Sequence, residues 1–120
     1  MIWLDYENLK NAYHKTQREL NDALSELAEF AGKRGAAKQK AEERVEELKK
    51  ILIEREALLK QKLEELKKSK DTNDKIYRFR YVERDKVRAI QIKVGYSEPQ
   101  IYRILKEMQE RMNQENTVKP

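Results

Sequence analysis

The side chains with the most chemistry to offer gather near the C-terminal end. Ser97, Gln100, Tyr102, Arg103 and Lys106 fall within ten consecutive positions, and Arg84, Lys86 and Arg88 come shortly before them. A Gln amide presents a donor beside an acceptor, which matches the major-groove edge of adenine, and the Arg fork matches guanine in the same way. Lys, Arg and hydroxyl side chains hold phosphate and sugar oxygens without reading sequence. These types point to nucleic acid. Gln100 and Arg103 are the expected base readers, Arg84, Lys86, Arg88 and Lys106 the phosphate holders. Tyr102 is expected on sugar-phosphate and Ser97 at the start of the reading helix.

The charge distribution agrees. The 120 residues carry a net charge of +5. Residues 1–69 hold 15 basic and 14 acidic side chains, whereas 70–112 hold 11 and 7, so the excess sits where phosphate contacts are expected. Other chemistries find little support. Cysteine is absent and His14 is the single histidine, so neither a disulfide nor a metal site is expected. No Gly-rich phosphate loop and no Ser/His/Asp or Cys/His set occurs, so no enzyme and no cofactor are expected. The Glu pairs at 42–43, 46–47 and 64–65 alternate with Lys and Arg, as helix-surface pairs do. The longest aliphatic run, Ile51-Leu52-Ile53, is too short for a membrane span, and no secretory signal follows Met1, which leads to a cytoplasmic expectation.

Three short helices are predicted to carry the candidate residues, in a module spanning 70–112. The first covers about 74–82, with Ile76, Phe79 and Tyr77 inward. The second starts at Asp85 as N-cap and ends near Val94. The third follows Ser97, where Ser-x-x-Gln with Pro99 in the first turn forms a capping box. Ile101, Ile104, Leu105, Met108 and Met112 mark its inner face. Val94-Gly95-Tyr96-Ser97 is a tight connection with glycine at an expected positive φ, the signature of a helix-turn-helix. The remaining residues, 113–120, read as a disordered tail.

Ahead of the module lies a stalk, residues 1–69. Apolar residues recur at 3–4 spacing, and with Leu24 at position a, 13 of 19 a/d positions are apolar. Position g is apolar as well, at Leu9, Ala23, Phe30, Ala37, Ile51 and Leu58, which widens the stripe beyond a two-stranded seam. One helix cannot bury such a face, so a coiled-coil homodimer is expected. Gly32-Lys33-Arg34-Gly35 admits two readings. The heptad phase passes through it without a slip, which favours one continuous helix about 100 Å long. The alternative is an antiparallel hairpin. The expected fold class is all-α either way.

The module's sequence also resembles a known group. Arg80-Tyr81-Val82, a short amphipathic helix and then Val94-Gly95-Tyr96-Ser97-Glu98-Pro99-Gln100-Ile101-Tyr102-Arg103-Ile104 resemble the sigma-factor region-4-like module of phage-encoded transcriptional regulators of the RinA/ArpU type. That group commonly opens with a helical coil and a Trp-Leu start, similar to Trp3-Leu4. The resemblance implies binding of double-stranded DNA near promoters, and contact with RNA polymerase. Two positions depart from its pattern: Lys86-Val87 replaces an aromatic-acidic pair, and Gln91 stands where a small residue follows Ile90. Two further readings compete, a small terminase-like packaging component and a protein-interaction module that binds no DNA.

Overall fold

The computed structural model describes residues 1–118, with side chains through Gln114, and every regular element among them is helical. Helix α1 covers Ile2–Ala28 and α2 Ala36–Lys68. A short α3, Thr72–Tyr77, widens directly into a π-helical stretch, Arg78–Val82. Helices α4, Val87–Val94, and α5, Glu98–Val118, complete the chain. Two compact units result: Asn8–Gln61, and Met1–Glu7 together with the chain from Lys62 onward.

The first unit is an antiparallel helical hairpin, which corrects the preference for one continuous helix. Ala23 of α1 packs with Val45 and Leu48 of α2, flanked by Leu20 and Leu27. The reversal takes residues 29–35, and Gly35 sits there at φ +139°, outside the regions open to side-chain-bearing residues. Its seven residues equal one heptad, so the hydrophobic phase counted along the chain shows no slip. The broad apolar stripe also has an internal explanation. Within this unit the buried residues of α1 are Thr16 and Ala23, at position g, and those of α2 are Val45 and Leu48, at a and d. Each helix buries a different edge of the same pattern, and Leu24 of α1 is left 42% exposed. A polar contact fixes the register: Arg55 Nη1 donates to the Ala12 carbonyl (2.8 Å) and to Thr16 Oγ1 (2.6 Å). Polar groups in an apolar seam specify one alignment because other alignments leave them unpaired.

The second unit displaces the expected boundary at residue 69. Asp71 caps α3, its carboxylate accepting from the Asp74 N–H at 3.1 Å. Asp74, only 4% exposed, accepts in turn from the Trp3 N–H (3.0 Å) and the Ser69 hydroxyl (2.5 Å). One carboxylate thus satisfies an orphan donor in the first turn of α1. Trp3 stacks on Tyr77 with ring centres 5.6 Å apart, and Tyr6 meets the same ring edge-on at 6.0 Å. The Tyr77 hydroxyl donates to Glu7. Residues 1–7 are therefore part of this unit's core. Sequence periodicity assigned Trp3 and Tyr6 to the stalk seam because their 3–4 spacing continues the heptads.

Around these aromatics, α3 packs on α4 and α5, and α4 packs on α5. Ile76, Ile90 and Ile101 are fully buried, and Leu105, Met108 and Met112 extend the buried face along α5 as its periodicity predicts. Helix α5 runs past 112 to Val118, where a tail was expected. No breaker intervenes, and Gln109 Nε2 donates to Asn113 Oδ1 (3.3 Å) one turn on. Residues 119–120 of the expected tail lie outside the described residues.

Candidate nucleic-acid interface

The candidate surface begins where the π-helical stretch ends. The Glu83 N–H reaches the Arg78 carbonyl (2.9 Å), and the Asp85 N–H reaches the Phe79 carbonyl (2.7 Å). Arg84 between them has φ +60°, the left-handed conformation that closes a helix end. Glycine is usual there, and a side chain in that region costs roughly 1–2 kcal/mol. The sharp exit places Arg84 and Lys86 on exposed backbone.

Two expectations for this segment are corrected. Asp85 is not the N-cap of α4; Lys86 holds that place in extended conformation, with no side-chain cap. The left-handed step at Arg84 sets the helix start one residue later. The Asp85 carboxylate instead binds Lys93 Nζ at 2.6 Å. Phe79 is only partly buried, and its ring carries two cations, Lys93 Nζ at 4.7 Å from its centre and the Arg78 guanidinium at 4.9 Å.

The connection from α4 to α5 follows the sequence closely. Gly95 ends α4 at φ +76°, donating to the Gln91 carbonyl at 2.8 Å. A Cβ there would meet open space, so the requirement for glycine is the backbone angle alone. The capping box is formed: Gln100 Oε1 accepts from the Ser97 N–H (2.9 Å) and hydroxyl (3.0 Å), and the Gln100 N–H reaches Ser97 Oγ at 3.4 Å. Tyr96, within this connection, is 36% exposed.

An open groove runs between the start of α4 and the start of α5. Arg80, Lys86, Val87, Arg88, Gln91, Glu98 and Tyr102 line it. All eight expected site residues are exposed, but only Lys86, Arg88 and Tyr102 meet in the groove. At 100° per residue, Glu98, Tyr102 and Lys106 form one i,i+4 line on the flank of α5 that adjoins α4. Arg103 lies beyond that line, pointing away from the buried stripe, and Gln100 lies on the opposite flank. The Gln100 amide oxygen is engaged in the cap, so bidentate pairing with a base requires opening the box. Sequence reasoning missed Arg80 and Gln91. Gln91 carried a signal, since a polar residue beside the buried Ile90 belongs at the edge of the helix contact.

Ion pairing differs between this surface and part of α2. Along α2, Lys49, Lys60, Lys62 and Lys67 each pair with a Glu three or four residues away. Among the described residues, Arg84, Lys86, Arg88, Arg103 and Lys106 have no carboxylate within ion-pair distance. Burial raises the Tyr81 hydroxyl above its ordinary range, against the opposing pull of the Arg80 charge. No group of three or more His, Asp or Glu that could hold a metal is present among the described residues. None of the described helices is long and apolar enough to cross a membrane.

Set beside known proteins, the chain matches no family model, no curated protein and no solved structure.

Proposed function

We propose that the chain binds double-stranded DNA through the α4–α5 surface, used as a helix-turn-helix, and that it serves transcription regulation. In this reading the flank of α5 bearing Glu98, Tyr102 and Lys106 enters the major groove, with Arg103 beside it. The start of α4 and the turn before it, with Arg84, Lys86 and Arg88, follow the backbone. One observation carries the proposal: cations without carboxylate partners line a groove between two helix starts, whereas half of those of α2 are in ion pairs with a Glu. Unpaired cations can neutralise phosphates and so release the counterions condensed on the duplex, the electrostatic source of duplex affinity. The regulatory part rests on the resemblance of 80–104 to phage-encoded regulators.

The test is a salt titration of duplex binding by the full chain. Log affinity should fall linearly with log salt, and Lys86→Ala and Arg88→Ala should each reduce the slope by about one. Binding that ignores salt would overturn the proposal. It would favour a second reading, a protein-interaction module contacting RNA polymerase or another protein, for which Ile92, 79% exposed, supplies an apolar contact.

A further inference from the structure

We propose that the groove selects a cytosine through Glu98, so that specificity lies in a carboxylate set among cations. This rests on the duplex-binding reading above and adds the base recognised.

Glu98 is out of place in a surface that only holds phosphate. It lines the same groove as Arg80, Lys86 and Arg88, where it repels a phosphate that those three attract. It forms no ion pair with any of them among the described residues. The start of α5 already has its cap in Ser97 and Gln100. A carboxylate in a first helical turn also suits the positive end of the helix dipole. That role affects stability and leaves base choice untouched, so experiment separates the two.

The chemistry of the groove then narrows the base. An ionised carboxylate only accepts hydrogen bonds. In the major groove the donors are the cytosine 4-amino and the adenine 6-amino groups; guanine O6 and N7 and thymine O4 are acceptors. Adenine sets its N7 acceptor beside the amino group, which repels a carboxylate. Thymine O4 closes the other side of that amino group, whereas the cytosine amino group has an acceptor on one side only, the O6 of its paired guanine, and a C5–H on the other. Tyr102 stands one turn along α5 from Glu98, half exposed, and Gln91 faces the groove from α4. Both flank the carboxylate, and both can shield its contact from water.

The experiment is enrichment from a randomised duplex library by the full-length wild-type, Glu98→Gln and Glu98→Ala proteins, with helicity checked for each. The wild type should enrich a site containing a fixed cytosine, and both variants should lose preference at that one position while keeping the rest. A second arm uses wild-type protein alone and is indifferent to how the variants fold. Replacing the enriched cytosine by N4-methylcytosine, which keeps its pairing but blocks the groove-facing amino hydrogen, should weaken binding about tenfold, within the range for one good base contact. If Glu98→Ala tightens every duplex equally with its preferences unchanged, or N4-methylcytosine is tolerated, the carboxylate reads nothing and this inference fails while duplex binding stands. If the wild type binds no duplex at all, both fail together.

Discussion

Arg84 illustrates how one residue serves two demands in opposition. Its left-handed backbone closes the π-helical stretch at a steric cost, yet its side chain is an unpaired cation beside the candidate groove. Arg84→Gly should stabilise the fold by about 1 kcal/mol, seen as a higher urea midpoint at unchanged slope. It should also lower duplex affinity and reduce the salt slope by about one. Equal stability in the two proteins would show that the position is unstrained. Tyr77 gives a residue-scale prediction in pH. Burial first, and its hydrogen bond to Glu7 second, raise its hydroxyl far above the ordinary tyrosine value. The native state therefore keeps a proton that the unfolded chain releases above about pH 10. Stability is unaffected below that pH and should fall above it by about 1.4 kcal/mol per pH unit for this group. Tyr77→Phe should flatten that alkaline slope in pH-dependent urea unfolding.

At the scale of elements, the short N-terminal turn of α1 and the C-terminal helices depend on each other. Trp3→Ala should destabilise the unit they share by about 3–5 kcal/mol and abolish duplex binding, although Trp3 is remote in sequence from every candidate contact. Thermal melting by circular dichroism would check it; a melt unchanged from wild type would show the aromatic stack to be dispensable. The hairpin is equally testable. Spin labels at Lys15 and Glu54 should lie within about 20 Å, given helices packed 8–10 Å apart. A continuous helix would hold them about 58 Å apart. Local signals served these elements well: Ser97 with Gln100, Gly95, and the spacing of Ile101, Leu105, Met108 and Met112 each specify a structure within a few residues of themselves. The hairpin and the docking of residues 1–7 were not legible, because both depend on contacts distant in sequence, such as Arg55 with Ala12, 43 residues apart, and Trp3 with Asp74, 71 apart. The candidate groove was half legible. Its cations could be named from composition, but the π-helical stretch that sets Arg80 and shifts the start of α4 has no sequence signature.

For the whole molecule, the hairpin alters what assembly requires. Part of a stripe that no single helix could bury finds its partner within the chain at Ala23, Val45 and Leu48, and the large apolar side chains left exposed in the hairpin are Leu24, Ile53 and Leu58. Scattered residues of this kind are ordinary on soluble surfaces. The hairpin takes up part of the face that the coiled-coil homodimer was expected to bury, and we expect sedimentation equilibrium at micromolar concentration to return the mass of one chain, 14.4 kDa, where a homodimer would double it. Such a chain would cover one contiguous site on DNA rather than two symmetric half-sites.

The seven-residue reversal makes the hairpin convertible. Deleting 29–35 removes one whole heptad, so the two arms would fuse with their hydrophobic frame intact and no breaker left at the junction. The fused helix could no longer fold back, and each arm would find its former neighbour only in a second molecule. The outcome is a domain-swapped dimer, read as a doubling of the 14.4 kDa mass, less the deleted residues, with helicity preserved. An unrelated insertion of three or four residues at the same place would put the arms out of phase if they fused, and would leave the chain single. A loop that matches the repeat it interrupts thus leaves the protein one in-frame deletion from a different quaternary structure.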